Sequence, residues 1–200
     1  MKTKVARILF VPGLIAAFAP SYALFFEFNV LVTGDLPGGT APWATLSITD
    51  SGVDMVDMTL THSASSAAPQ FVTELLLNIE PFPSDLNLIE SSPTIVGWEF
   101  DEDDINDAGG MFDMQVDFET SNSGDRLNPG ESVTFQVTGT GLDANDFNAF
   151  SKGNLNVLGM VHIQGINGEG SGKVAAVPEP ASILALIGAF GILAARRRVQ

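Results

Sequence analysis

Met111-Phe112-Asp113-Met114-Gln115-Val116-Asp117-Phe118-Glu119 is the stretch whose reading decides the fold. Phe112, Met114, Val116 and Phe118 fall on one phase of a period-2 repeat; Asp113, Gln115, Asp117 and Glu119 fall on the other. Successive side chains of a strand point to opposite faces, so this alternation predicts a strand with one face on a core and one toward water. Downstream, Asn128-Pro129-Gly130 marks a turn, and Val133, Phe135 and Val137 repeat the pattern. Asp143 is an N-cap candidate for one or two helical turns carrying Ala144, Phe147 and Phe150. Two further strands are predicted over 157–163 and 171–177.

Upstream the reading is the same. Phe26, Phe28, Val30 and Val32 alternate with Glu27, Asn29 and Leu31, and a loop rich in glycine and proline follows over 34–42. Segments 43–49 and 56–61 are expected to pair as a hairpin across Asp50-Ser51-Gly52. Segment 71–80 is read with Phe71, Leu75, Leu77 and Ile79 on one face. It ends at Pro81-Phe82-Pro83, since proline gives a ladder no donor. Shorter strands are expected over 86–89 and 94–100. About nine strands at roughly ten-residue spacing, without βαβ alternation, predict an all-β domain over 24–176, an antiparallel β-sandwich of jelly-roll type.

The segments flanking this body have a different composition. Residues 1–23 read as a secretory signal peptide: Lys2, Lys4 and Arg7 precede an apolar run, and Ser21 and Ala23 are the small residues before a cut. At the other end, Val177-Pro178-Glu179-Pro180 precedes an apolar run over 181–195 and then Arg196-Arg197-Arg198. Proline suits the first helical position, so a helix is expected to begin at or just after Pro180. Fifteen residues rise about 22 Å, short of the roughly 30 Å hydrocarbon core, a gap that snorkelling arginines and local thinning could close. The arginines would stay on the cytoplasmic side. This is a marginal transmembrane helix, suited to temporary residence.

The order and spacing of these three parts over 177–198 resemble the PEP-CTERM sorting signal. The resemblance implies export, transient residence in the inner membrane and processing by an exosortase-type peptidase. Both termini, the acidic body and the lack of catalytic motifs together predict a non-enzymatic structural or interaction component of the cell envelope or exopolysaccharide matrix, membrane-anchored, at the cell surface or in the extracellular matrix. The resemblance itself implies an address and no activity. Less specifically, Pro42-Trp43-Ala44-Thr45-Leu46, Phe71-Val72-Thr73-Glu74-Leu75, Gly110-Met111-Phe112-Asp113-Met114 and Val161-His162-Ile163-Gln164-Gly165 resemble the middle regions of uncharacterised cyanobacterial-type PEP-CTERM proteins. That group offers no functional residues to carry over.

Charge narrows the partners. Of nine Lys and Arg residues only Arg126, Lys152 and Lys173 lie in the body, against 23 acids once Glu179 is set aside, so its net charge is about −20. Such a surface repels nucleic acid, anionic lipid and anionic polysaccharide, and it attracts cations. The absence of cysteine removes disulfides, thiol catalysis and thiolate-bound metals.

The sharpest local feature is Asp101-Glu102-Asp103-Asp104-Ile105-Asn106-Asp107, five carboxylates and an Asn in seven positions. Hard cations such as Ca²⁺ take six to eight oxygens, which makes Asp101, Asp103, Asp104 and Asp107 candidate ligands. The same stretch also reads as a solvated acidic loop between two strands. The EF-hand pattern does not fit: counted from Asp101, the fifth position is Ile105. No other cofactor is indicated.

Catalytic signals are absent. His62 is in phase with Met58 and Leu60, and His162 with Met160 and Gln164, so both read as strand residues with a local hydrogen bond rather than general bases. No Gly-x-Ser-x-Gly elbow or His-Glu-x-x-His pair occurs, and the chain is not expected to be an enzyme. The alternative is an exported calcium-dependent carbohydrate-binding or carbohydrate-active module, for which Trp43 and Trp98 are the rings to inspect.

Overall fold

The computed structural model describes residues 23–121 and 124–178. Among them lie β1 (Ala23–Gly34), β2 (Ala44–Gly52), β3 (Met55–His62), β4 (Phe71–Leu77), β5 (Asn87–Ile89) and β6 (Ile95–Asp107). β7 (Gly110–Phe118), β8 (Ser132–Thr138), β9 (Lys152–Gly153), β10 (Gly159–Ile166) and β11 (Gly170–Ala176) follow. The helical turns expected after Asp143 are one 3₁₀ turn, Ala144–Phe147, closed by a capping box between Asp143 and Asp146. Among the described residues no helix is long and apolar enough to cross a membrane. The signal segment up to Tyr22 and the expected transmembrane helix 181–195 lie outside them.

The ladder is one antiparallel sheet of 11 strands, ordered β5-β8-β3-β2-β1-β11-β10-β4-β7-β6, with β9 on β7. Its alternating residues explain it. Phe28, Leu46, Met58 and Phe135 from one half and Leu75, Val116, Val161 and Val174 from the other belong to a single buried cluster. The sheet therefore rolls around one core, and each such side chain contributes about 1.5–3 kcal/mol on burial. The two edges, β5 and β6, are consecutive in sequence, so residues 90–94 bridge the seam. The sandwich-like body is thus a rolled sheet whose halves are joined through the β1–β11 pairing, not two separate layers. Its order also departs from jelly-roll wiring. β1, β2 and β3 are direct ladder neighbours, since the short turn at 53–54 pairs β2 with β3 on the spot instead of sending the chain across the core.

Two departures from the expected strands follow from irregular register. Between Val72 and Glu74 the β4–β10 register slips, leaving Thr73 as an extra residue. The bulge turns Val72 into the core, and Phe71 lies outside that cluster, covered by the Arg126 guanidinium 4.0 Å from its ring centroid. The expectation that Phe71 shares the core face of Leu75 and Leu77 is corrected accordingly. The second departure is the acidic stretch, which is the far half of β6 and not a free loop. Phe100 pairs with Met114 and Ile105 with Phe112, so Asp101–Asp104 bulge out opposite Asp113 alone. Ala108 and Gly109, at φ 48° and 87°, close the hairpin in the left-handed conformation that a two-residue turn requires.

The tip of this β6–β7 hairpin covers the outer face of the second half. Ile105 and Phe112 join Leu76, Met160, Ala175 and Val157 in a smaller buried cluster. That is why β4 is buried on both faces. Charge completes the attachment: Lys173 pairs with Asp107 and, at 3.4 Å, with Glu74, while Lys152 pairs with Asp103.

Candidate functional site

The described part of the sorting segment begins where the ladder stops. Ala176, the last residue of β11, pairs with Phe28 on one side and Gly159 on the other, and its carbonyl accepts from Leu158 N at 2.9 Å. Val177 is half-buried and Pro178 exposed. Proline has no N–H to offer a neighbouring strand, so the sheet cannot follow the chain further. Glu179, Pro180, Arg196, Arg197 and Arg198 lie outside the described residues.

The other processing junction lies at the same corner. Ala23 is exposed and opens β1 opposite Thr49; a cut after it leaves Leu24 paired with Ile48. Ser21 lies outside the described residues. Below the Phe28–Ala176 pair, β1 stays on β2 while the departing chain diverges from it. The fork encloses a groove of about 460 Å³ lined by Leu24, Phe25, Phe26, Leu158, Val177 and Pro178 among others. Phe25 is 62 % exposed, whereas its neighbour Phe26 is 5 % exposed and reaches the core.

The aspartates expected to gather round a cation are not brought together. Asp103 is engaged by Lys152 and Asp107 by Lys173. Asp101 is exposed, and the Asp104 carbonyl accepts from Asn106 Nδ2 at 2.9 Å. Among the described residues no three carboxylate or imidazole groups are arranged to hold a metal ion. The carboxylate that organises this region is Asp113, which the alternation of β7 assigned to solvent. It is 5 % exposed and accepts from Ile79 N at 2.8 Å and Asp103 N at 2.6 Å, fixing the bulge to the end of β4. Burial pushes its carboxyl above the ordinary range, against those two hydrogen bonds. No sequence signal marks it, because its burial comes from the inserted residues opposite.

His62 is fully buried, with Nδ1 3.0 Å from the Leu127 carbonyl. The carbonyl can only accept, so Nδ1 carries the proton, and burial holds the imidazole below its ordinary value. A ring sealed in the core meets no substrate. His162 is half-buried on the outer face, between Glu74 and Lys173 on its neighbouring strands, and burial lowers it too. Of the two rings that a sugar-binding face would need, Trp43 is buried and only Trp98 is exposed.

Comparison with known proteins assigns one part of the chain. No curated protein and no solved structure matches it. Residues 176–198 match the family model of the PEP-CTERM protein-sorting motif, which starts on the last residue of β11. The chain therefore carries a PEP-CTERM protein-sorting motif, which implies export and recognition by an exosortase.

Proposed function

We propose that the chain is an exported, non-enzymatic β-domain, a structural or interaction component of the cell envelope or of an exopolysaccharide matrix. Residues 1–23 direct its export. The helix at 181–195 holds it in the inner membrane, arginines inward, until an exosortase-type peptidase processes it near Pro178-Glu179-Pro180. One observation carries this reading: the sorting motif matches residues 176–198 and so begins on Ala176, where the last described strand ends and Val177 and Pro178 leave the ladder. The body supports it. Its histidines are committed to strands, its three cations are all bound internally, and its acidic surface is that of a soluble extracellular component.

Fractionation of cells expressing the whole chain, with mass analysis of each fraction, is the test. We expect a species beginning at Leu24 in membrane and external fractions, and a further loss of mass at the Pro178–Pro180 region that depends on the host's sorting peptidase. A full-length species in the cytoplasm with Met1 to Ala23 intact would overturn the reading.

A further inference from the structure

We infer that the corner formed by Leu24–Glu27 and Val177–Pro178 is a membrane-contact surface that rests on the neutral headgroup layer of the bilayer while the chain is anchored. The inference rests on the reading of 181–195 as a membrane segment and adds to it an orientation of the body. Chain length is the first argument. Ala181 lies three residues past Pro178, and three extended residues span at most about 10 Å. The headgroup layer on each side of the hydrocarbon is roughly 5–8 Å thick. A body tethered this closely brings its Pro178 corner to the headgroups.

Composition is the second argument. The corner exposes what an interface accommodates: Phe25 at 62 % exposure, beside the half-buried Leu24 and Val177 that line the groove. Phe25 faces away from the core that Phe26 fills, so the fold does not account for its size. The third argument is convergence. Ala23 and Pro178 flank the same fork, so both junctions face one bilayer without any turn of the body. Electrostatics then select the lipid. Glu27 lines the groove, and Asp50 and Asp54 sit by the adjoining β2–β3 turn, so anionic headgroups are disfavoured and zwitterionic ones accepted.

The chain has no cysteine, so single labels are clean. The exported chain beginning at Leu24 and carrying Phe25→Cys, or Glu169→Cys in the turn at the far end of β10–β11, is labelled with an environment-sensitive fluorophore. Each is reconstituted in phosphatidylcholine vesicles containing nitroxide-labelled lipid. We expect both to float with the vesicles, strong loss of emission at residue 25 and none at residue 169. Exchanging the lipid for phosphatidylglycerol should weaken the loss at 25. Pro178→Cys serves as a second reporter, since Pro178 is exposed and lies outside the ladder. Failure to float would overturn the membrane reading of 181–195 and the inference with it. Flotation with equal emission at 25 and 169 would overturn the inference alone. Loss at 25 seen only after adding an exosortase-type peptidase would assign the corner to a protein partner and overturn the lipid contact.

Discussion

Asp113 and His62 are the two side chains whose burial has the largest consequences. Asp113 satisfies two buried backbone donors, Ile79 N and Asp103 N. Removing an acceptor leaves such donors unpaired at about 1–3 kcal/mol each, so Asp113→Ala should lose about 2–4 kcal/mol of stability by denaturant unfolding. Amide exchange at Ile79 and Asp103 should accelerate in the same variant. Its titration has a definite sign. Burial raises the folded carboxyl above its unfolded value, so the unfolded chain ionises first as pH climbs, and stability falls through the interval between the two. His62 behaves in the opposite sense. Its folded value lies below the unfolded 6.5, so its contribution is intact above that pH and is lost as pH falls toward the folded value. His162 shares the direction, and the chain has only 2 histidines. His62→Gln should therefore flatten the fall of stability below pH 6.5, and replacing both histidines should remove the part of it that imidazoles cause. Unfolding midpoints measured from pH 7.5 to 5 check this.

At the scale of elements, the β6–β7 hairpin is the piece whose position sequence reasoning misses. Alternation made β8, the β2–β3 hairpin and β7 from Met114 to Phe118 legible, because each has one wet and one dry face, and period 2 records that difference; Phe112 and Asp113, buried under the hairpin tip and the bulge, escape it. The far half of β6 was not, because Asp101 to Asp107 has the composition of a solvated loop while its partners lie in distant segments. Lys152 and Lys173, 49 and 66 residues away from Asp103 and Asp107, hold the tip down. The bulge at Thr73 was equally illegible: nothing local to Phe71 announces that the phase changes one residue later. Such pairings are properties of register, which short-range pattern does not encode. The tip offers a graded test. Lys173 is 19 % exposed and serves two carboxylates, so Lys173→Met should cost about 1–3 kcal/mol and expose the amides of Ile105 to Phe112 to exchange. Lys152 is 57 % exposed, where an ion pair contributes only about 0–1 kcal/mol, so Lys152→Met should leave those amides nearly unchanged. Equal effects from the two would show that charge is not what holds the tip.

For the whole molecule, the decisive fact is where order in the ladder ends relative to the sorting motif. The first and last strands pair with each other, so the body closes on itself at Phe28 and Ala176, and among the described residues beyond that pair only Leu24, Phe26 and Val177 add to the buried clusters. The exposed β6 edge carries Glu99, Asp101, Glu102 and Asp104, which discourages further strands from adding there. With Lys152, Lys173 and Arg126 all engaged internally, the rest of the surface presents acid to its surroundings. Fold and address are consequently separable: the described part of the segment, Val177 and Pro178, contributes no ladder pairing, and the body contributes only Ala176 to the matched motif. A body-independent signal should work on another body. Grafting residues 177–200 onto an unrelated exported soluble domain should make that domain membrane-held, and in cells with a sorting peptidase it should be cut at the graft. Conversely, Val174→Asp places a charge at a fully buried position of β11 and should unfold the native body. The cut site of that chain should stay where it is, while its yield falls through proteolysis of the unfolded body. Mass analysis of both products decides the matter, and a graft that stays uncut while the native chain is processed would show that the peptidase reads the folded domain as well.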